Sequence, residues 1–393
     1  MWPRLNILFG TLSKRVRTGI SVFLLASGIA IGFPSAARAE DSSARAHIGF
    51  AATHPLTKAG WRTFAERLKK EPDAPKLKIF LNGPAGDDFS AIENLARQHY
   101  EFGAAALPSF PEVFPHTALI SELGITGGDN ELAAAAAVTE LLMVDCSLCQ
   151  KIFKKQRIVF LGAYSSARFV LLSYDRLSTP LAFQGLTTLT PGTAWDRLIV
   201  SLGGKINEDY SDAGDLFARG EISATIATPL ELSNPAVKAH TRNVLIAPLG
   251  SFRGGAGFLA SASYWQNLTP KARRAILNAA SDGIVSTATE YRAISEAALE
   301  KAKSEGLTID TASPDLVEKI QKHIQTDILG IDQTAQERFG IVDAANFIDR
   351  FLYLYDKFAG LLTQAQSSQQ SAQVLREQIF DRLDVLKYGV EPG

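Results

Sequence analysis

A chain of 393 residues is longer than a single hydrophobic core ordinarily serves, so two lobes or domains are expected. With 46% apolar and 21% charged residues, the composition is that of a folded globular protein, not a disordered or fibrous one. The 40 basic and 41 acidic side chains nearly cancel, which argues against nucleic acid or an anionic membrane as the main partner.

The chain opens on an export address. Arg4, Lys14, Arg15 and Arg17 precede an apolar run from Gly19 to Phe33, and Ala37-Arg38-Ala39 places small residues around a cleavage point. This reads as a secretory signal cut after Ala39. An uncleaved anchor is the alternative, but the run is short for a span and Pro34 closes it. With Arg38 the signal removes five basic residues and no acid, leaving 35 basic against 41 acidic side chains, a formal charge of −6.

A first strand is expected over His47–Ala51, then a helix over Ala59–Leu68 with Trp61, Phe64, Ala65 and Leu68 on one face. Lys76–Leu81 reads as a strand closed by Asn82-Gly83-Pro84, Phe89–Tyr100 as a helix, and Gly103–Leu107 as a strand of small residues. Strands alternating with helices through short links imply parallel pairing and right-handed crossovers. Ligands then sit beyond the carboxyl ends of the strands, which brings Thr53 and His54 forward as candidates. A lone histidine in such a loop is more often structural.

Glu131–Lys155 is Ala- and Leu-rich and long enough for a helix of several turns. It holds the only two cysteines, Cys146 and Cys149, expected as a local disulfide or as two half-buried thiols. From Arg157 to Gly192 the short apolar runs Ile158–Leu161 and Phe169–Leu172 read as strands, with Arg168 just before the second. This is where the chain is expected to cross between lobes and hold a small ligand. Helices follow over Trp195–Leu202 and Ser211–Arg219, with Ser211 as cap, and strands over Ile222–Thr228 and Val244–Pro248. After an apolar strand, Phe258–Ser263, Thr269 and Pro270 start a helix that runs to about Glu305, long enough to span both lobes. A late strand at Thr308–Asp310 precedes helices over Leu316–Ile328, Phe347–Leu362 and Val374–Leu386.

No phosphate loop, zinc-protease helix or nucleophile elbow occurs, so neither an enzyme nor a bound cofactor is expected. Three blocks instead carry a likeness. Ile48-Gly49-Phe50, His54-Pro55 and Asn82-Gly83-Pro84-Ala85-Gly86 form one. Gly203-Gly204, Ser211-Asp212, Phe217-Ala218-Arg219-Gly220 and Ile222 form the second, and Trp265-Gln266-Asn267-Leu268-Thr269-Pro270 with its long helix the third. In this order, behind an export signal, the chain resembles the substrate-binding proteins of tripartite ATP-independent periplasmic (TRAP) transporters from about Ile48 to Phe339.

The resemblance implies an α/β periplasmic binding protein of two lobes, type II-like, with crossing strands and a long helix spanning both lobes. It implies lobe I over 44–165 plus 254–293, lobe II over 166–253 plus 294–345, and a C-terminal helical extension over 346–393. It further implies a small-molecule solute, an organic acid, and TRAP membrane subunits as partners. By the same likeness Arg168 matches one carboxylate-binding arginine, whereas the principal one is replaced by Leu189. Ser223 stands where the family carries Asp, Thr228 nearest its Asn, and Tyr210 at its pocket aromatic.

A bidentate guanidinium–carboxylate pair fixes charge and orientation together, so the substitution matters. The solute must rely on Arg168, whose alternative role is a structural ion pair, or on neutral donors. Those are Thr187, Thr188, Thr190 and the amino end of the helix after Pro191. Two rival readings are a receptor that serves a sensor without a transporter, and an exported α/β enzyme. Finally, Val374, Leu375, Ile379, Leu383 and Leu386 form a stripe to be buried on its own lobe or in a homodimer through the C-terminal helices.

Overall fold

The computed structural model describes residues 43–81, 88–126, 128–209 and 212–390. Tyr210, Ser211, the 82–86 block and the signal with Ala39 lie outside the described residues.

In chain order, β1 (Ala44–Ile48) leads through a turn of π-helix at Leu56–Trp61 into α1 (Arg62–Leu68), β2 (Leu77–Leu81), α2 (Asp88–Ala96) and β3 (Phe102–Ala105). Then come α3 (Pro115–Glu122), α4 (Glu131–Glu140), α5 (Ser147–Lys155) and β4 (Ile158–Tyr164). The chain next lays down β5 (Val170–Ser173), β6 (Thr187–Leu189), α6 (Thr193–Ser201), β7 (Lys205–Ile206), α7 (Ala213–Ala218), β8 (Ala224–Ala227), α8 (Pro235–Ala239) and β9 (Asn243–Ile246). It returns through β10 (Gly255–Ser261) and α9 (Ala262–Gln266), and α10 (Pro270–Ser304), β11 (Thr308–Thr311), α11 (Pro314–Phe339), α12 (Ala345–Thr363) and α13 (Ser368–Gln378) follow.

Two sheets result, each the centre of a lobe. The first has order β2-β1-β3-β10-β4 and the second β11-β9-β5-β8-β6-β7. Strands β1, β2 and β3 pair in parallel, as alternating strand and helix requires, whereas β10 runs antiparallel to both neighbours. Every residue of β3, β4 and β10 is buried, because helices cover both faces of the first sheet.

Helix α10 starts as the sequence dictates. Thr269 Oγ1 accepts from the backbone of Ala272 at 3.1 Å and Pro270 occupies the first position. At about 1.5 Å per residue its 35 residues reach some ~50 Å. Ile276 to Tyr291 pack into the first lobe, and Leu299 and Ala302 into the second. Gly283 is tolerated mid-helix for a packing reason: a Cβ there would lie 2.5 Å from the Phe258 ring.

Three expected elements are corrected. Glu131–Lys155 is not one helix. A π-helical turn at Leu141–Asp145 ends at Cys146, which leaves the helical region, and α5 sets off at 83° to what precedes it. Cys146 and Cys149 form a disulfide across the first turn of α5, so both thiols are committed locally. Asp212, not Ser211, caps α7, its carboxylate accepting from Gly214 and Asp215. The terminal helix stops at Gln378, and Ile379–Leu383 continue as a tighter turn.

The apolar stripe is nonetheless buried on its own lobe. Leu375 and Ile379 are inaccessible, Leu383 nearly so, and Leu386 is exposed. Glu140 on α4, fully enclosed, fixes the extension: it receives Lys357 Nζ at 2.6 Å and Arg382 Nη1 at 2.9 Å, with Arg350 at 3.7 Å. No single described helix is long and apolar enough to cross a membrane.

Candidate ligand-binding cleft

Besides α10, two segments carry the chain between the sheets, 165–169 after β4 and 247–254 before β10. They pair with each other. Ser166 N–H donates to Phe252 O at 3.1 Å, Phe252 N–H returns to Ser166 Oγ at 3.0 Å, and Phe169 N–H reaches Gly250 O at 2.7 Å. Gly250 has φ 67 and lies against Gly124, so close that a Cβ would meet the Gly124 carbonyl oxygen at 2.0 Å. Only glycine satisfies both demands.

Beside this crossing Arg253 is completely buried. Its guanidinium donates to the carbonyls of Leu123 at 3.3 Å and Gly128 at 3.2 Å, and stacks 5.0 Å from the Tyr355 ring. Burial pulls its pKa down to about 10, while Tyr355 and Asp129 oppose the shift, so it stays charged at neutral pH. Arg253 is not among the candidates that the sequence offers. The signal available was an arginine within a glycine-rich crossing strand.

Arg168, expected above as an anion contact or a structural ion pair, lies on the first crossing segment. Its side chain is 38% exposed and Nη1 stands 3.5 Å from Asp129 Oδ2. That is a loose, solvated pair of small worth. A solute carboxylate can compete for it.

The first-lobe wall is aromatic and neutral. His54 stacks on Phe50 with centroids 4.6 Å apart and meets the edges of Tyr164 and Tyr291. Its Nδ1 accepts from the Leu56 backbone at 3.2 Å, so the ring proton sits on Nε2, which donates to Tyr291 Oη at 2.9 Å. Burial lowers the His54 pKa to about 4. His54 therefore offers no positive charge to an anion. Thr53 is exposed.

On the second lobe a cavity of about 360 Å³ is lined by Phe169, Leu189, Thr190, Ala213, Thr228 and Glu231, among others. Leu189 and Thr228 share this wall. Thr188 does not: one residue from Leu189 on β6, it projects to the opposite face and is fully buried. The neutral donors expected around Pro191 are also spent. Thr190 Oγ1 bonds Asp196, and Thr193 Oγ1 bonds Glu122, which places two carboxylates at the amino end of α6 before any ligand arrives. Glu231 remains open to solvent, and partial desolvation by its neighbours, reinforced by Asp212, raises the pKa of its carboxyl group.

Glu122 also joins parts of the molecule. It accepts from Arg197 on α6 at 3.0 Å and from Arg338 on α11 at 2.8 Å, and Arg197 makes a two-pronged pair with Asp327 at 2.6 and 2.8 Å.

No family model matches the chain, and no curated protein does. Solved structures do. A TRAP periplasmic solute-binding protein from Desulfovibrio salexigens superposes with TM-score 0.68 at 15% identity, over 83% of this chain and 98% of that one. The periplasmic ectoine-binding protein of a Halomonas elongata TRAP transporter gives 0.64 at 12% identity, over 80% and 99%. A Chromohalobacter salexigens TRAP solute-binding protein with bound D-glucuronate gives 0.61 at 16%, also over 80% and 99%. The chain has the two-lobed α/β fold of the TRAP solute-binding proteins.

Proposed function

We propose that the mature chain is a periplasmic solute receptor that captures a small organic solute between two closing lobes and delivers it to TRAP-type membrane subunits. The observation that carries this reading is Arg168. It is a half-exposed guanidinium on a crossing segment, only loosely held by Asp129, in a fold shared with TRAP solute-binding proteins over nearly their whole length. D-glucuronate and ectoine, named for two of those structures, set the size of solute to expect.

In this reading Arg168 meets an acid group, Thr228 supplies a hydroxyl, Tyr210 lends a ring, and Thr53 with His54 borders the mouth. Thr188, turned away, takes no part. Glu231 lines the same cavity and can accept from a solute that also presents an amino or hydroxyl group to the second lobe. The lobes are 44–165 plus 254–293 and 166–253 plus 294–345, with 346–393 fastened to the first. Export with cleavage after Ala39 completes the scheme. The buried stripe favours a monomer over a homodimer.

No step alters the solute, so the protein should return it unchanged. Thermal-shift screening of the mature protein against organic acids tests the proposal. A ligand at 100 times its dissociation constant adds about 2.7 kcal/mol of stability. A hit should also compact the protein in small-angle scattering. Chemical conversion of every hit would instead make the protein an enzyme.

A further inference from the structure

A second and larger cavity shares no lining residue with the second-lobe wall or the aromatic cluster. It holds about 770 Å³ between α5, the start of β4, α9 and the C-terminal tail. That lies inside the ~300–1,000 Å³ usual for small-molecule sites. Its floor is apolar, made by Met143, Phe153, Ile158, Val159 and Leu383, all buried. Its rim is basic: Lys151, Lys154, Arg157, Arg382 and Lys387 stand against a single acid, Asp384.

The walls stand without an occupant. The disulfide pins the first turn of α5, and Phe153 on that helix stacks 5.2 Å from Phe160. The tail is stapled down by Trp265 Nε1 to Tyr388 O at 2.7 Å and Tyr388 Oη to Phe160 O at 2.6 Å. Arg273 holds Val385 O and Arg274 holds Leu383 O, each at 2.9 Å.

Arg382 pairs with Glu140 at 2.9 Å, Lys387 with Asp384 at 3.5 Å, and Lys154 also has an interaction within the protein. No ion pair of Lys151 or Arg157 occurs among the described residues, and both are exposed. Arg157 stands where α5 ends, with φ 55, a conformation that glycine adopts without strain and arginine does not. An arginine kept there places a guanidinium at the mouth of an apolar cavity.

We infer that this cavity is a second ligand site, for an amphipathic carboxylate whose apolar tail lies on the Phe153 floor and whose head meets Lys151 and Arg157. The site is independent of the cleft and of the solute proposed for it.

The test is titration calorimetry of delipidated mature protein with decanoate below its micellar concentration. Decanol and decyltrimethylammonium serve as neutral and cationic counterparts. Decanoate should bind, and decanol at least about tenfold more weakly, the equivalent of one lost charge-assisted contact. Lys151→Gln with Arg157→Gly should weaken decanoate by about tenfold or more without lowering the melting temperature, because glycine relieves the strained turn. Ala262→Trp, which fills the cavity, should abolish binding. Failure of decanoate to bind, equal binding of decanol, or indifference to both variants overturns the proposal. So does co-sedimentation with phosphatidylglycerol vesicles that needs Lys151 and Arg157 while decanoate is not taken up. That outcome makes the rim a membrane contact.

Discussion

Two buried carboxylates, Glu140 and Glu122, are each ringed by cations, yet they do different work. Glu140, 1% exposed, draws its partners Arg350, Lys357 and Arg382 from the C-terminal extension and binds them to α4 of the same lobe. Glu122, 8% exposed, lies at the end of α3, whose neighbours Leu119 and Ile120 belong to the first core. Its partners Thr193, Arg197 and Arg338 come from α6 and α11. One cluster closes a core and has no reason to open. The other ties α3 to α6 and α11, elements that would shift if the lobes close as proposed. The same chemistry makes a rivet in one place and a latch in the other.

The largest effect is expected at the rivet. Lys357 is 19% exposed and its ion pair is with Glu140, so Glu140→Gln leaves a poorly solvated ammonium opposite an amide. Breaking a buried pair from one side costs about 3–5 kcal/mol. Urea unfolding of the mature protein should show that loss, with α12 and α13 exchanging their amide protons first. A loss under about 1 kcal/mol would mean that the pair behaves as a surface bridge and that the contrast with Glu122 is empty.

Much of this architecture was legible in the sequence. The periodicity of Trp61, Phe64 and Leu68, the Thr269-Pro270 start and the alternation of strands and helices each reflect a local physical rule. Helix α1 and the start of α10 formed where expected, whereas α11, expected over Leu316–Ile328, runs on to Phe339. What failed was long-range. Nothing local in the alanine-rich run before Cys146 announces that its helix must turn by 83°. Thr188 and Leu189 differ by one step on a strand, and only pairing with Ala224 and Thr225 decides which faces the cleft. Glu122, Glu140 and Arg253 look like ordinary surface charges until their distant partners are brought to them. The crossing region, on which Arg168 lies, was therefore legible, but not the contacts made there.

The next effect concerns Arg168, whose exposed pair contrasts with both buried clusters. Closure on an acid would desolvate it, so Arg168→Ala should weaken an acidic solute at least thirtyfold, about 2 kcal/mol or more, while the melting temperature of the free protein barely moves. Leu189→Arg should strengthen simple carboxylates, because it adds a second guanidinium to the wall that holds Thr228. Calorimetry on both variants reads these changes. Unchanged affinity in Arg168→Ala would make the Asp129 pair purely structural.

A smaller effect separates the neutral wall from the charged clusters. Because the folded-state pKa of His54 is depressed to about 4, the unfolded chain takes up the proton first. Its contribution to stability is complete above the ordinary value of 6.5 and is lost as pH falls towards 4, by about 1–2 kcal/mol at pH 5. His54→Gln should flatten this part of the stability–pH curve. An unchanged slope would show that His54 titrates normally and that the first-lobe wall is open to water.

The smallest expected effect is at the latch, and it is the most informative about function. In Glu122→Gln, Arg197 still has Asp327 at 2.6 Å and Arg338 is 43% exposed, so neither cation is left unsolvated and the cost to folding should stay near ~1 kcal/mol, well below that at Glu140. The change should appear instead in the balance between lobe arrangements. If the Arg197 and Arg338 contacts hold the arrangement seen here, loosening them by ~1 kcal/mol alters its population against the alternative roughly fivefold. The apparent affinity for a solute then moves by a similar factor although Glu122 touches no solute. Small-angle scattering of the ligand-free protein should show a changed radius of gyration, and binding should change with it. If stability falls as far as in Glu140→Gln and scattering does not change, Glu122 is a second rivet, and closure must turn on the paired crossing segments at Ser166 and Phe252 alone.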